Sequence, residues 1–243
     1  MPVHLNTNEW GDGERRALLV HGIGSNSAGW WRVGPDLAEL GYHVIGPDLR
    51  GHGLSPNGAR MMIEDYRDDI LELGTGWDLV LGHSLGGAIA LAANAVTPGW
   101  TSRLILQDPA IIGSNSPEVV AWLLSEYEDP ITDEAIAASN PHWHPTDAAI
   151  KAEALRQAGP EVVHRTVGDG PPWNHWDDLV ALEIPTLLIG ADPDMGTLVG
   201  PVIGMAAVEA NSMIRFETVQ GGSHSMHRDE YDAYWDLVRE FAS

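Results

Sequence analysis

Cysteine is missing from all 243 residues. Disulfides, thiolate metal sites and a cysteine nucleophile are therefore excluded. Lysine is almost as scarce. Lys151 is the only one, so Schiff-base chemistry has a single candidate. Basic residues number 13 against 35 acidic ones, giving a formal net charge of −22. Nucleic acid and anionic membrane surfaces would be repelled by that charge, so neither is an expected partner, and the charge reads as a solubility device. No apolar run approaches the length of a membrane span. The opening residues Met1-Pro2-Val3-His4 carry neither a basic stretch nor an apolar signal region. The expectation is a cytoplasmic protein, monomer or homodimer, whose partner is a small-molecule substrate.

What the chain does have is centred on Leu79-Val80-Leu81-Gly82-His83-Ser84-Leu85-Gly86-Gly87. The apolar run Leu79–Leu81 reads as a short buried strand, and Ala88-Ile89-Ala90-Leu91-Ala92-Ala93 as a helix. A Gly-x-Ser-x-Gly turn between them is a nucleophile elbow. The turn is sharp, so small neighbours are needed at Gly82 and Gly86. Ser84 is then raised at the carboxyl end of its strand, above a helix start whose N–H groups suit developing negative charge. A lone serine is a weak nucleophile, so a base, an orienting acid and an oxyanion hole must be found elsewhere.

Taken in order, residues 1–16 read as a short edge strand or hairpin, and Ala17–Val20 as a buried parallel strand. The glycine-rich loop His21-Gly22-Ile23-Gly24-Ser25 follows. Its Ile23 N–H is expected to pair with the Leu85 N–H as an oxyanion hole, while His21 braces the loop. A helix is expected from Trp30 to Leu40 and a strand over His43–Asp48. Asp48 and His52 then organise the turn Asp48-Leu49-Arg50-Gly51-His52-Gly53-Leu54-Ser55. A helical apolar face over 60–74 precedes the elbow, and the strand Arg103–Gln107 leads into Asp108-Pro109. Strand and helix alternation stops over 110–184 and resumes with Thr186–Ile189, a helix near 200–210, the strand Ile214–Val219 and a last helix from Asp229 to Ala242.

This alternation implies an α/β fold, a mainly parallel central sheet with helices on both faces. The expected division is a core of 1–109 and 185–243, interrupted by a helical lid over 110–184, a stretch too long for a connecting loop. Functional groups in such sheets gather at the carboxyl ends of the strands. Ser84, Asp108, Asp192, Asp194 and His224 all stand there. His224, in a Gly-Gly-Ser-His turn, is the candidate base because imidazole titrates near neutral pH. His227 is its rival in the same loop but belongs to the start of the last helix. For the acid, Asp192 is favoured as the residue nearer its strand end and constrained by Pro193. Asp194 and Asp108 remain alternatives.

These motifs, in this order, resemble the α/β-hydrolase superfamily over essentially the whole chain. The resemblance implies a Ser84–His224–Asp192 triad, an Ile23/Leu85 oxyanion hole and acyl transfer through an acyl-enzyme, with no cofactor and no metal required. One departure is that the position three residues beyond the strand-closing glycine, where the acid commonly stands, is Pro193. The lid histidines 142, 144, 164 and 175 lack metal-ligand spacing.

Tryptophan is abundant, with ten in the chain. Trp30, Trp143 and Trp176 are the expected pocket residues, and the lid also carries Trp122, Tyr127 and Trp173. The lid offers only Arg156 and Arg165 as arginines, so the expected substrate is a small to medium, uncharged, apolar or aromatic carboxylic ester or lactone, or a carbamate. Carbon–carbon bond hydrolysis, perhydrolysis, lyase chemistry, or slow turnover in a ligand sensor are the alternatives on the same triad.

Overall fold

A computed structural model describes residues 1–128 and 130–243. Its strands are β1 (Thr7–Trp10), β2 (Arg15–Val20), β3 (Tyr42–Pro47), β4 (Leu79–His83), β5 (Leu104–Gln107), β6 (Ile112–Gly113), β7 (Trp173–Asn174), β8 (Thr186–Ala191) and β9 (Ile214–Val219). Its helices are α1 (Val33–Glu39), α2 (Ile63–Leu71), α3 (Leu85–Val96), α4 (Pro117–Ser125), α5 (Asp133–Ser139), α6 (Pro145–Ala158), α7 (Glu161–Val163), α8 (Trp176–Val180), α9 (Pro201–Ala210), α10 (Met226–Asp229) and α11 (Tyr231–Ala242).

Seven strands form one sheet in the order β1-β3-β2-β4-β5-β8-β9. Every pairing is parallel except that of β1, which runs antiparallel along β3 at the edge. Of the two expectations for the first 16 residues, the edge strand is the one observed. The central strands are near-continuous apolar runs because both of their faces are covered. The period-2 alternation divides them. Leu18, Val20, Val80 and Leu106 face the side covered by α2 and α3, where Tyr66, Ile70 and Ile89 pack. Ala17, Leu19, Leu81 and Ile105 face the other side, packed by Leu37 of α1 and by Tyr234 and Val238 of α11. Tyr234, Val238 and Ala242 recur every fourth residue and are fully buried, the spacing that places one helix face on a sheet. Burying a side chain the size of Val238 contributes about 1.5–3 kcal/mol. The expected last helix is α11, and a short separate helix, α10, precedes it because Glu230 leaves the helical conformation between the two.

The excursion from Ala110 to Pro185 adds no strand to this sheet. It carries α4 to α8, and its two ends are tied by the antiparallel pair β6–β7. α4 and α6 each begin with proline in the first turn behind a side-chain cap, Ser116 for α4 and His144 for α6, a start that needs no N–H from the proline.

One buried ion pair fixes the loop after β3. Arg50 donates Nε and Nη2 to the two carboxylate oxygens of Asp69 at 2.6 and 2.7 Å, and both side chains are almost wholly buried. A bidentate pair of this kind has the geometry that compensates desolvation of the two charges.

Candidate active site

β4 delivers Ser84 at φ 54°, ψ −118°, a left-handed backbone that non-glycine residues rarely adopt. The turn is held from both sides: Ser84 N–H donates to the Gln107 carbonyl of β5, and its carbonyl accepts from Ala110 N–H, each at 3.0 Å. Glycine is obligatory around it. A Cβ on Gly86 would stand 2.1 Å from the Val20 carbonyl oxygen, and one on Gly82 2.5 Å from that of Gly86. The strand, the neighbouring β2 end and α3 therefore meet only because these side chains are absent.

The loop after β2 is braced by two neutral histidines. His21 donates Nδ1–H to the Gly22 carbonyl and accepts the Leu49 N–H at Nε2. His52 donates Nδ1–H to the Arg50 carbonyl and accepts the Gly24 N–H at Nε2. Burial pushes the pKa of His21 down to about 4 and that of His52 down to about 3. Asp48 gathers Ser27 N–H, Ser27 Oγ–H, Leu54 N–H and Asn6 Nδ2–H. Burial would raise its pKa, but these hydrogen bonds outweigh it and hold the carboxyl below its ordinary value. His21, Asp48 and His52 thus organise loops, as their sequence context indicated. Ile23, carried by this loop, lines the same cavity as Ser84 and Leu85.

His224 meets Asp108, not Asp192. Its Nδ1 lies 2.6 Å from Asp108 Oδ2. Asp108 is fully buried at the end of β5, and its carboxylate also accepts Thr197 Oγ–H at 2.7 Å, Val199 N–H at 2.9 Å and Leu198 N–H at 3.1 Å. Burial alone would raise its pKa, but the hydrogen bonds from His224, Thr197 and Leu198 hold it below the ordinary value. Asp192 is corrected on its position. It is half-buried and caps a short turn, accepting from Asp194 N–H at 3.0 Å and Gly221 N–H at 2.8 Å. Asp194 is exposed. The physical reason is that the segment after Asp192 folds inward and offers Thr197–Val199 to Asp108 as hydrogen-bond donors, so the acid comes from the strand beside the elbow.

Two other histidines surround His224. His83, inside the elbow motif, donates Nε2–H to the His224 carbonyl at 2.9 Å, and the two rings lie 4.7 Å apart. His227 is buried and accepts Gln107 Nε2–H at Nδ1, which removes it as a rival base. Burial drives both well below the ordinary imidazole pKa.

Ser84 stands between two chambers. The larger, about 510 Å³, is lined by Ser84, His224, Trp143, Lys151, Ser25 and Arg228 among others. The smaller, about 160 Å³, is apolar and lined by Ile23, Leu85, Val119, Trp122, Trp173 and Leu198. Of the expected pocket tryptophans, Trp143 is in place. Trp30 is not: it is a core residue with its ring 5.3 Å from His227. Trp176 packs against the core at the start of α8 and lines neither chamber. Trp122 of α4 and Trp173 of β7 line the smaller chamber with Ser84 instead. The larger chamber also carries two cations that the sequence reading did not place there. Lys151 and Arg228 both line the larger chamber, from α6 and α10. The signal was a lone arginine four residues beyond His224 in a chain with few basic residues. Among the described residues no three His, Asp or Glu side chains are grouped as metal ligands, and no helix is long and apolar enough to cross a membrane.

Comparison with known proteins decides the family. The family model described as alpha/beta hydrolase fold matches residues 18–154. The chain belongs to the α/β-hydrolase family. This α/β-hydrolase is 33% identical over 159 residues to lipase LipV of Mycobacterium tuberculosis, covering 62% of this chain and 60% of the lipase. It is 26% identical over 243 residues to N-formylmaleamate deformylase of Pseudomonas putida, covering 92% and 87%. An esterase structure from Exiguobacterium antarcticum superposes with a TM-score of 0.76 at 18% identity, over 98% of this chain and 95% of that one, a likeness of fold.

Proposed function

We propose that this α/β-hydrolase is a serine hydrolase that transfers the acyl group of a small to medium carboxylic ester, lactone or related acyl compound to water. The reading is carried by one observation: the His224–Asp108 pair at 2.6 Å opens onto the same chamber as Ser84 on its strained turn. With Nδ1–H committed to Asp108, the other ring nitrogen, Nε2, is the one able to accept the serine proton. Ser84 Oγ attacks the carbonyl, the N–H groups of Ile23 and Leu85 take the developing oxyanion, and the protonated His224 is stabilised by Asp108. His224 then hands its proton to the leaving group. Water, deprotonated by the same histidine, releases the acyl group from Ser84.

The two chambers divide the substrate. His224 borders only the larger one, so the leaving group it protonates lies there, and the acyl chain enters the apolar chamber beside Ile23 and Leu85. The relatives' names, lipase, esterase and deformylase, support acyl cleavage as the reaction class. The test is labelling with a fluorophosphonate, which needs an activated serine but not the natural substrate. Wild type is expected to gain one adduct on Ser84, and Ser84→Ala and His224→Ala none. A folded wild type that stays unlabelled by this reagent and by a smaller sulfonyl fluoride contradicts the reading.

A further inference from the structure

Arg228 is 5% exposed and lines the larger chamber. For a buried guanidinium it is poorly partnered. Its Nε has no hydrogen-bond acceptor among the described residues, and there Nη2 reaches only Ser25 Oγ, at 3.4 Å. Among the described residues it makes no ion pair within 4 Å. The acidic groups around it are engaged elsewhere. Asp147 holds Arg32 and the Trp31 indole N–H, Glu126 holds Lys151, and Asp229 holds Ser223 and the Trp143 indole N–H. Trp143 lies under the guanidinium, with its ring 4.8 Å from the central carbon, which fixes the plane without using a donor.

Leaving donors of a buried arginine unmet is costly, more so than burying an apolar side chain of the same size. The second cation, Lys151, shows the contrast: it donates to the Gly24 carbonyl and to Glu126. Among the described residues, Arg228 is the cation lining this chamber that has no carboxylate partner. We infer that Arg228, with Ser25 beside it, binds a carboxylate on the leaving-group portion of the substrate, making the preferred substrate an acyl compound whose alcohol or amine half is anionic. The planar fork of donors matches a carboxylate. The inference rests on the serine-hydrolase reading for the placement of the leaving group.

The test uses a matched pair, 3-carboxyphenyl butyrate and 3-carbamoylphenyl butyrate, alike in shape and different in charge. Wild type is expected to favour the carboxylate ester in kcat/KM. Arg228→Gln should lower the ratio of the two kcat/KM values by about 10- to 100-fold, mostly through KM, with Arg228→Lys keeping part of it. A ratio unchanged in Arg228→Gln overturns the inference. Calorimetric titration of the wild type with 3-hydroxybenzoate and 3-hydroxybenzamide needs neither a variant that folds nor turnover. Tighter binding of the carboxylate by about 10-fold or more is expected, and equal affinity overturns the inference. Failure of the serine-hydrolase reading is distinct: neither ester would turn over and Ser84 would stay unlabelled, whatever the titration gives.

Discussion

Nδ1 of His224 lies 2.6 Å from Oδ2 of Asp108, a carboxylate with no solvent exposure that takes three further donors from Thr197, Leu198 and Val199. The pair spans two loops far apart in sequence, and those donors come from a third. Asp108 is therefore fixed before the imidazole reaches it. An orienting acid works in this way by holding one tautomer and stabilising the charge that forms on the ring. His83 adds a second constraint from below, through its hydrogen bond to the His224 carbonyl.

In the proposed function the acyl chain enters the apolar chamber, so the size of that chamber should limit acyl length. Val119 of α4 lines it, so Val119→Phe should fill much of its roughly 160 Å³. The expected outcome is a fall in kcat/KM for 4-nitrophenyl hexanoate, relative to the acetate, of about 10-fold or more, in line with 1–3 kcal/mol per methylene excluded from an apolar pocket. A chain-length series measured on both proteins checks this. An unchanged series would mean that the acyl chain occupies the other chamber.

Acid should weaken the fold well above the range where carboxylates titrate. His21 and His52 take up a proton near their ordinary pKa of 6.5 when unfolded, but only near 4 and 3 when buried. Between those values the unfolded chain binds more protons, so stability falls as pH falls. Their contribution is complete above about pH 6.5 and is lost towards the folded-state values. From pH 7.5 to 5 each is expected to remove about 2 kcal/mol of unfolding free energy. Urea denaturation at the two pH values reads this directly. Equal midpoints and slopes would show that the two rings are protonated in the folded protein.

The parts of the fold written in local patterns were legible from residues alone. Leu79–Leu81, Ala17–Val20 and Thr186–Ile189 are apolar runs that only a sheet covered on both faces accommodates, and the turn at Ser84 lies between one such run and a helix. The choice among Asp108, Asp192 and Asp194 was of another kind. All three follow strands at the same edge, and what separates them is the inward course of Thr197–Val199, a tertiary event with no periodic signature. Tryptophans gave the same difficulty. Trp30 and Trp143 are chemically alike, yet one packs against His227 in the core and the other lies under Arg228 in the cavity. Arg228 carries no local signal of this kind, because it reaches the chamber from α10, outside the stretch 110–184.

The most direct measurement is a comparison of Asp108→Asn and Asp192→Asn in kcat/KM for an activated ester, with folding of each verified by circular dichroism and urea denaturation. Asn keeps the shape of the side chain but no longer holds the histidine tautomer or its charge, a change that costs about 10⁴-fold in serine triads. The expected result is a loss of about 10³- to 10⁴-fold for Asp108→Asn and less than about 5-fold for Asp192→Asn. The reverse pattern, with Asp192→Asn crippled and Asp108→Asn active, would contradict the assignment of Asp108 as the acid that orients His224 toward Ser84.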